Sequence, residues 1–148
     1  MARVTLTVVD LELARRLCAT ARTCAAELDA LVSVAVVDAG GHLVAFERMD
    51  GAEIAGPTLA RDKAYTAVAH RAPTADLADL VAPGAALAGM NSADGGRYVC
   101  FGGGVPLRSS GLVVGAVGVS GGSTDQDVAC AQAAAAVFGT ADAAEREA

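Results

Sequence analysis

The sequence predicts an α+β fold, in which a mainly antiparallel sheet of about five strands is covered by helices from both ends of the chain. Three observations support this prediction. β-rich segments follow one another through short glycine turns, which favours antiparallel pairing. An amphipathic helical pattern lies near the N-terminus, and an alanine-rich one lies near the C-terminus. The length of 148 residues and the 53% hydrophobic composition fit one domain over residues 1–148.

The first half of the chain predicts two helices separated by a hairpin. Thr7 to Asp10 resembles a capping box, and apolar residues then recur at helical spacing, which predicts a helix over residues 8–30. Residues 31–38 and 42–49 are β-rich and are joined by a glycine turn, as in a hairpin. Gly56-Pro57 opens a second helix that is expected to end near Arg71.

The second half predicts three strands and a closing helix. Thr74 is expected to cap a short helix, and Gly139 is expected to end the last one. The residues after Thr140 are charged, and we expect them to form a frayed tail. In chain order these elements are a helix over 75–81, strands over 97–101, 105–108 and 112–119, and a helix over 125–138.

Composition excludes several classes of partner. The net charge of −6 and the pI near 4.7 argue against nucleic acid and anionic membranes, which require a basic face. No apolar run approaches the roughly 18 residues of a membrane span, and the N-terminus lacks the apolar core of a secretion signal, so we expect a cytoplasmic protein. The four cysteines form no CxxC pair, which favours buried reduced thiols over a metal or nucleophilic role. We expect no metal site.

Lys63 is the only lysine beside ten arginines, and it is therefore the first cation to consider for chemistry. Lys63, Thr66 and His70 follow one another at helical spacing and share a face. They are candidate catalytic residues, with Lys63 as acid or base and the other two orienting the ligand. Alternatively, Lys63 pairs with Glu47 or Asp38, and His70 interacts only with the dipole at the helix C-terminus.

Other residues are candidates for ligand binding. Arg48 has the geometry to clamp a carboxylate, or else it pairs with Asp38 or Asp50. Met90 and Cys100 precede a glycine-rich stretch and either contact a ligand or pack in the core.

The glycine-rich stretch itself offers backbone N–H groups. Gly102, Gly103 and Gly104, together with Ser120 and the two glycines after it, form either anion-binding nests or tight turns with close packing between subunits. Asp125 and Asp127 complement the N-terminus of the last helix.

Three segments carry a resemblance to a known family. They are VAVVDAGGHLVAFERMDGA, PTLARDKAYTAVA and FGGGVPLRSSGLVVGAVGVSGGSTDQD, and the resemblance extends from Thr5 to Gly139. This pattern resembles the GlcG/HbpS-like haem-binding family, which includes the C-terminal domain of PduO-type proteins. The resemblance implies a profilin-like fold, homo-oligomers from dimers to octamers, and a pocket at subunit edges for haem or another small ligand.

The chain departs from this family at the expected haem ligand. The resemblance implies an axial histidine on the first helix, where this chain has no histidine and offers Cys18 and Cys24. His42 and His70 are the only histidines. Haem is thus a possible cofactor, and we expect an oligomeric small-molecule-binding protein. The alternative is a cofactor-independent enzyme of the isomerase, cyclase or lyase type, acting on a small carboxylate or biosynthetic intermediate through Lys63.

Overall fold

Four antiparallel strands form the sheet of the computed structural model, which describes residues 2–148. The strands are β1 Ser33–Asp38, β2 Leu43–Arg48, β3 Gly104–Ser109 and β4 Leu112–Ser120, in the spatial order β2-β1-β4-β3. The helices are α1 Leu11–Glu27, α2 Gly56–His70 and α3 Thr124–Glu147. Short 3₁₀ turns at Thr74–Leu77, Asp79–Val81, Met90–Ser92 and Asp94–Gly96 fill the connection from α2 to β3. The α+β class and the antiparallel sheet are confirmed.

The two faces of the sheet are covered by different helices. β1 is a central strand whose residues 33–37 are buried, and four of these five residues are apolar. Val34 and Val36 belong to the larger core with α1 and α3, whereas Ala35 and Val37 belong to a smaller core with α2. This alternation follows from the two-residue period of a strand.

The predicted fifth strand over residues 97–101 is wrong. This segment lies along α2, where the Val99 N–H donates to Thr66 Oγ1 at 2.9 Å. The composition of this segment is typical of a strand, but its backbone N–H donates to a side-chain oxygen on α2 and not to the carbonyl of a neighbouring strand.

Glycine in β4 allows α2 to pack against the strand at backbone distance. A Cβ atom on Gly118 would lie 2.0 Å from the carbonyl oxygen of Ala60 in α2. Gly104, the partner of Gly118 in β3, would place its Cβ 2.4 Å from the Lys63 carbonyl oxygen. Gly104 and Gly118 therefore serve contact with a helix of the same chain.

Three predicted helix boundaries are wrong. α1 begins after Asp10, whose Oδ1 accepts from the Leu13 N–H at 2.8 Å, and not after Thr7. Thr74 does not cap a helix, because its hydroxyl accepts from the Gly104 N–H at 2.9 Å. α3 continues through Gly139 to Glu147, and its last turns are held by a 2.6 Å hydrogen bond from Ser109 Oγ to Asp142 Oδ1.

The sheet edges differ in how they are protected. In an antiparallel pair, every second residue directs its backbone N–H and C=O groups away from the neighbouring strand. The Val119 N–H donates to the Gly103 carbonyl, so the next residues in this alternation, Gly104 and Pro106, direct their backbone groups away from β4. Thr74 accepts the first N–H, and the proline has none, so the β3 edge offers few donors. By the same alternation along the other edge of the sheet, Phe46 and Arg48 direct their backbone groups outward from β2.

Among residues 2–148 no helix is long and apolar enough to cross a membrane.

Candidate functional sites: a buried lysine and an arginine-lined cleft

Lys63 is held in a buried ion pair with Asp127. Its Nζ donates to Asp127 Oδ2 and to the Val119 carbonyl, each at 2.9 Å. The side chain of Lys63 is 0% exposed and that of Asp127 is 5% exposed. Asp127 Oδ1 also accepts from the Gly122 N–H at 2.9 Å, so one carboxylate joins α2, the turn that follows β4 and the start of α3. The suggested partners Glu47 and Asp38 are wrong, since the acid is Asp127.

The ammonium group lies under an aromatic lid. Nζ is 4.9 Å from the centroid of Phe101, and a Cβ on Gly103 would come within 2.8 Å of Nζ. Burial lowers the pKa of Lys63, while the nearby carboxylates of Asp127 and Glu53 oppose that change. A side chain without exposed surface does not contact a dissolved substrate unless its cover moves. Catalysis by Lys63 therefore stays a prediction.

Thr66 and His70 continue the face of α2 that begins at Lys63. Thr66 Oγ1 accepts from the Val99 N–H and donates to the Asp62 carbonyl at 2.6 Å, so both of its hydrogen-bonding functions are used within the fold. His70 packs edge-on against Tyr98, with 4.9 Å between ring centroids. Its Nε2 is buried and has no partner among residues 2–148. The predicted shared face exists, and the segment from Tyr98 to Phe101 covers it.

The glycine-rich turns lie against the protein itself. Gly102, Gly103 and Gly104 are all buried, and a Cβ on Gly102 would lie 2.4 Å from Val128 Cγ2 in α3. Ser120 ends β4 and is 3% exposed. Their assignment to ligand binding stays a prediction, as does that of Met90.

Met90 lies apart from the glycine turns. It begins a 3₁₀ turn in the connection from α2 to β3 and is partly buried. The structure thus brings Lys63, Gly103 and Ser120 to one end of the sheet, but Arg48 lies at a different site.

Arg48 lines a cleft between α1 and β2. This cleft is shallow and widely open to solvent; it consists of two depressions, or lobes, of about 650 and 610 Å³ that share Arg22 and Glu47, which form a close ion pair. The first lobe is completed by Arg48, Met49 and Asp50. The second is completed by Leu11, Glu12, Arg15, Arg16 and Ala19.

The cleft carries a small excess of positive charge in an acidic protein, because its four arginines are accompanied by three acids, Glu12, Glu47 and Asp50. It contains four of the ten arginines of a chain with a net charge of −6. Within residues 2–148, the ion pairs include Arg22 but not Arg15, Arg16 or Arg48. Three guanidinium groups are therefore available to an anion, and the lining of the cleft also includes the apolar side chains of Leu11, Ala19 and Met49.

Arg48 does not form the proposed pair with Asp38. Arg48 lies opposite Ser33 at the open end of the hairpin, whereas Asp38 lies at the turn end. There, Asp38 Oδ1 accepts from the N–H groups of Gly40 and His42 at 2.8 and 3.0 Å. Asp50 lines the same lobe as Arg48 but is not within ion-pair distance of it.

Sequence reasoning identified Arg48 but not its partners on α1. Arg15 and Arg22 are seven residues apart and thus on the same side of a helix, which was the available signal. The sequence alone does not show that this side adjoins β2.

The sequence also matches a known family over most of its length. The profile of the family described as "Haem degrading protein HbpS-like" matches residues 9–136. The chain belongs to this HbpS-like family. The resemblance predicted from three sequence segments is confirmed.

Relatives and solved structures agree with this assignment. The chain is 38% identical to the "Uncharacterized 15.0 kDa protein in dhaT-dhaS intergenic region" of Citrobacter freundii, over 88% of this chain and 92% of that protein. It superposes on the protein ORFY of Klebsiella pneumoniae with a TM-score of 0.92 and 32% identity, covering 94% and 96% of the two chains. For a PduOC:haem complex the TM-score is 0.85 and the identity 40%, with coverage of 88% and 95%.

Proposed function

We propose that this chain binds an amphipathic organic anion of the tetrapyrrole class, such as haem, in the cleft between α1 and β2. The observation that carries this proposal is a set of three arginines, Arg15, Arg16 and Arg48, which lack an ion-pair partner among residues 2–148 and share the cleft with the apolar side chains of Leu11, Ala19 and Met49. Haem combines an apolar ring with two carboxylates, and arginine is the side chain best suited to bind carboxylates. The haem complex of the related PduOC supports the ligand class.

The cleft fits the carboxylates of haem better than its iron. Haem iron in proteins takes His, Cys, Met or Tyr as axial ligand. The residues that line the two lobes include no His, Cys or Tyr. Met49 is the one thioether among them, and its Sδ accepts from the Val32 N–H at 3.4 Å. The cleft as formed by one chain therefore does not provide a free axial ligand.

We further propose that the protein works as a homo-oligomer, between a dimer and an octamer. The outward backbone groups of Phe46 and Arg48 on β2 support this proposal, because an unpaired strand edge is a template for pairing with another chain. Such pairing would place Arg48 and its cleft at a boundary between subunits. Light scattering after size exclusion measures the mass, and a monomer at all micromolar concentrations would contradict this part of the proposal.

Titration of the untagged protein with haem tests the binding function. We expect a saturable change in the Soret absorbance at micromolar concentration, weakened by Arg48→Met. The matched control is Arg61→Met, which removes an exposed arginine from α2 outside the cleft. If haem produces no saturable change, the proposed function is wrong. If both variants lose binding equally, the function stands but its location in the cleft does not.

A further inference from the structure

We infer that the cleft between α1 and β2 recognises its ligand through carboxylates and not through a metal, so that it binds an iron-free tetrapyrrole as tightly as haem. This inference rests on the proposed function and specifies the chemistry of that same site. It also departs from the axial ligation that the family resemblance implies.

The distribution of charge in the cleft supports recognition of carboxylates. The Arg22–Glu47 ion pair lies between the two lobes and is neutral as a unit. On one side of this pair stands Arg48, and on the other stand Arg15 and Arg16. Each lobe also includes one further carboxylate, Asp50 with Arg48 and Glu12 with Arg15 and Arg16, and neither acid forms an ion pair among residues 2–148. Each lobe thus retains at least one guanidinium that can bind an anionic group. A ligand with two carboxylates and an apolar body satisfies this pattern without any metal.

The positions of both histidines, His42 and His70, argue against ligation of a metal in the cleft. His42 lies at the turn between β1 and β2, where its Nδ1 is 3.2 Å from Asp38 Oδ1. His70 ends α2 and packs against Tyr98. Neither lines the cleft.

The thiols are placed no better for ligating iron. Cys18 and Cys130 have 0% exposure, and Cys100 is 8% exposed and does not line the cleft. Cys24 is only partly buried, but it lines a separate cleft of about 370 Å³ beside Ala133 of α3. Within one chain, ligation of a metal in the α1–β2 cleft by a thiolate would therefore require one of these side chains to leave its packing environment.

A series of three ligands tests the inference on the untagged protein. The probes are haem, iron-free protoporphyrin, and the dimethyl ester of iron-free protoporphyrin, which lacks both carboxylates. Porphyrin fluorescence reports on the iron-free ligands, and Soret absorbance reports on haem. We expect haem and iron-free protoporphyrin to have equal dissociation constants within about threefold, and the ester to bind about tenfold more weakly or worse.

Variants and salt provide independent readouts. Arg48→Met should weaken both acids by about fivefold, a factor that corresponds to about 1 kcal/mol, and Arg61→Met should leave both unchanged. Binding of both acids should weaken as salt rises from about 0.05 to 0.5 M, because exposed ion pairs are screened.

The outcomes separate this inference from the proposed function. Haem that binds at least tenfold more tightly than iron-free protoporphyrin, with a spectrum typical of axial ligation, would overturn the inference and leave the proposed function in place. Equal binding of the acid and its ester would also overturn it. If none of the three ligands binds, both fail.

Discussion

Replacement of Lys63 by methionine tests whether the only lysine is a structural or a functional residue. The substitution keeps an unbranched side chain but removes the ammonium group, and with it both of its 2.9 Å hydrogen bonds. It leaves Asp127 buried, with the Gly122 N–H and the N-terminus of α3 as its remaining stabilisation. The partner change Asp127→Leu leaves an ammonium with one carbonyl acceptor, so it should be the more damaging of the two.

The magnitude follows from the burial of both groups. Solvent screening does not reduce the interaction, because the side chains are 0% and 5% exposed. Removing one member of a buried ion pair costs about 3–5 kcal/mol. We place Lys63→Met near the lower value and Asp127→Leu near the upper one. At about 2–4 °C per kcal/mol for a chain of this size, the melting temperature should fall by about 6–12 °C in Lys63→Met.

Thermal unfolding and a double-mutant cycle measure these effects. The double variant Lys63→Met/Asp127→Leu should be more stable than the sum of the single losses predicts, since no uncompensated charge remains. Arg61→Met is the control on the same helix, and it should change the unfolding free energy by less than about 0.5 kcal/mol. If Lys63→Met keeps the wild-type melting temperature within about 2 °C, the structural role is refuted, and the enzyme hypothesis gains support if ligand turnover falls.

Other predictions concern glycines, thiols and a threonine. Gly118→Ala should prevent native packing of α2, which would be measured as loss of the cooperative melting transition. Gly139→Ala has no atom within 4 Å of the added methyl group and should stabilise α3 by about 0.5–1 kcal/mol. A tolerated Gly118→Ala would show that α2 does not contact β4 as described. Burial raises the pKa of Cys18 from 9.0 to about 12, so this thiol stabilises the fold fully below pH 9 and the stabilisation is lost as pH rises towards 12. Cys18→Ala should therefore flatten the fall in unfolding free energy over that range by up to about 1.4 kcal/mol per pH unit, and an unchanged slope would contradict the assignment. Thr66→Val leaves the buried Val99 N–H without an acceptor and should cost about 1–3 kcal/mol in denaturant titrations, whereas a cost near zero would mean that the segment is held by other contacts.

The sequence predicts correctly those helices and strands for which the pattern of neighbouring residues and the contacts in the folded protein favour the same structure. The hairpin of β1 and β2 and the helix that begins at Gly56-Pro57 were identified to within about two residues, because turn glycines, a first-turn proline and apolar periods are properties of neighbouring residues. The failures occurred where distant residues decide. Gly139 is a common stop signal, yet α3 continues because its next turns bond to Ser109. The segment before Phe101 has the composition of a strand but bonds to Thr66.

The same distinction applies to the candidate sites. The rarity of lysine directed attention to Lys63, but its partner lies 64 positions away, and no sequence pattern connects the two. The cleft between α1 and β2 is not predicted by the sequence: Arg48 is a binding candidate because of its place in the hairpin, whereas Arg15 and Arg22 are not candidates. Their proximity to β2 results from the packing of α1 across the sheet, and only the three-dimensional fold brings these arginines together.

The use of lysine at position 63 has a physical reason that also bears on function. The space around its head group is closed by Gly103, where even a methyl carbon would come within 2.8 Å of Nζ, and by the ring of Phe101. A compact ammonium fits there with its carbonyl and carboxylate acceptors, whereas a guanidinium has five donors in a planar fork and would leave several unsatisfied in a dry site. The single lysine thus follows from packing constraints. Three arginines that have no ion-pair partner among residues 2–148, Arg15, Arg16 and Arg48, lie instead where α1 adjoins β2.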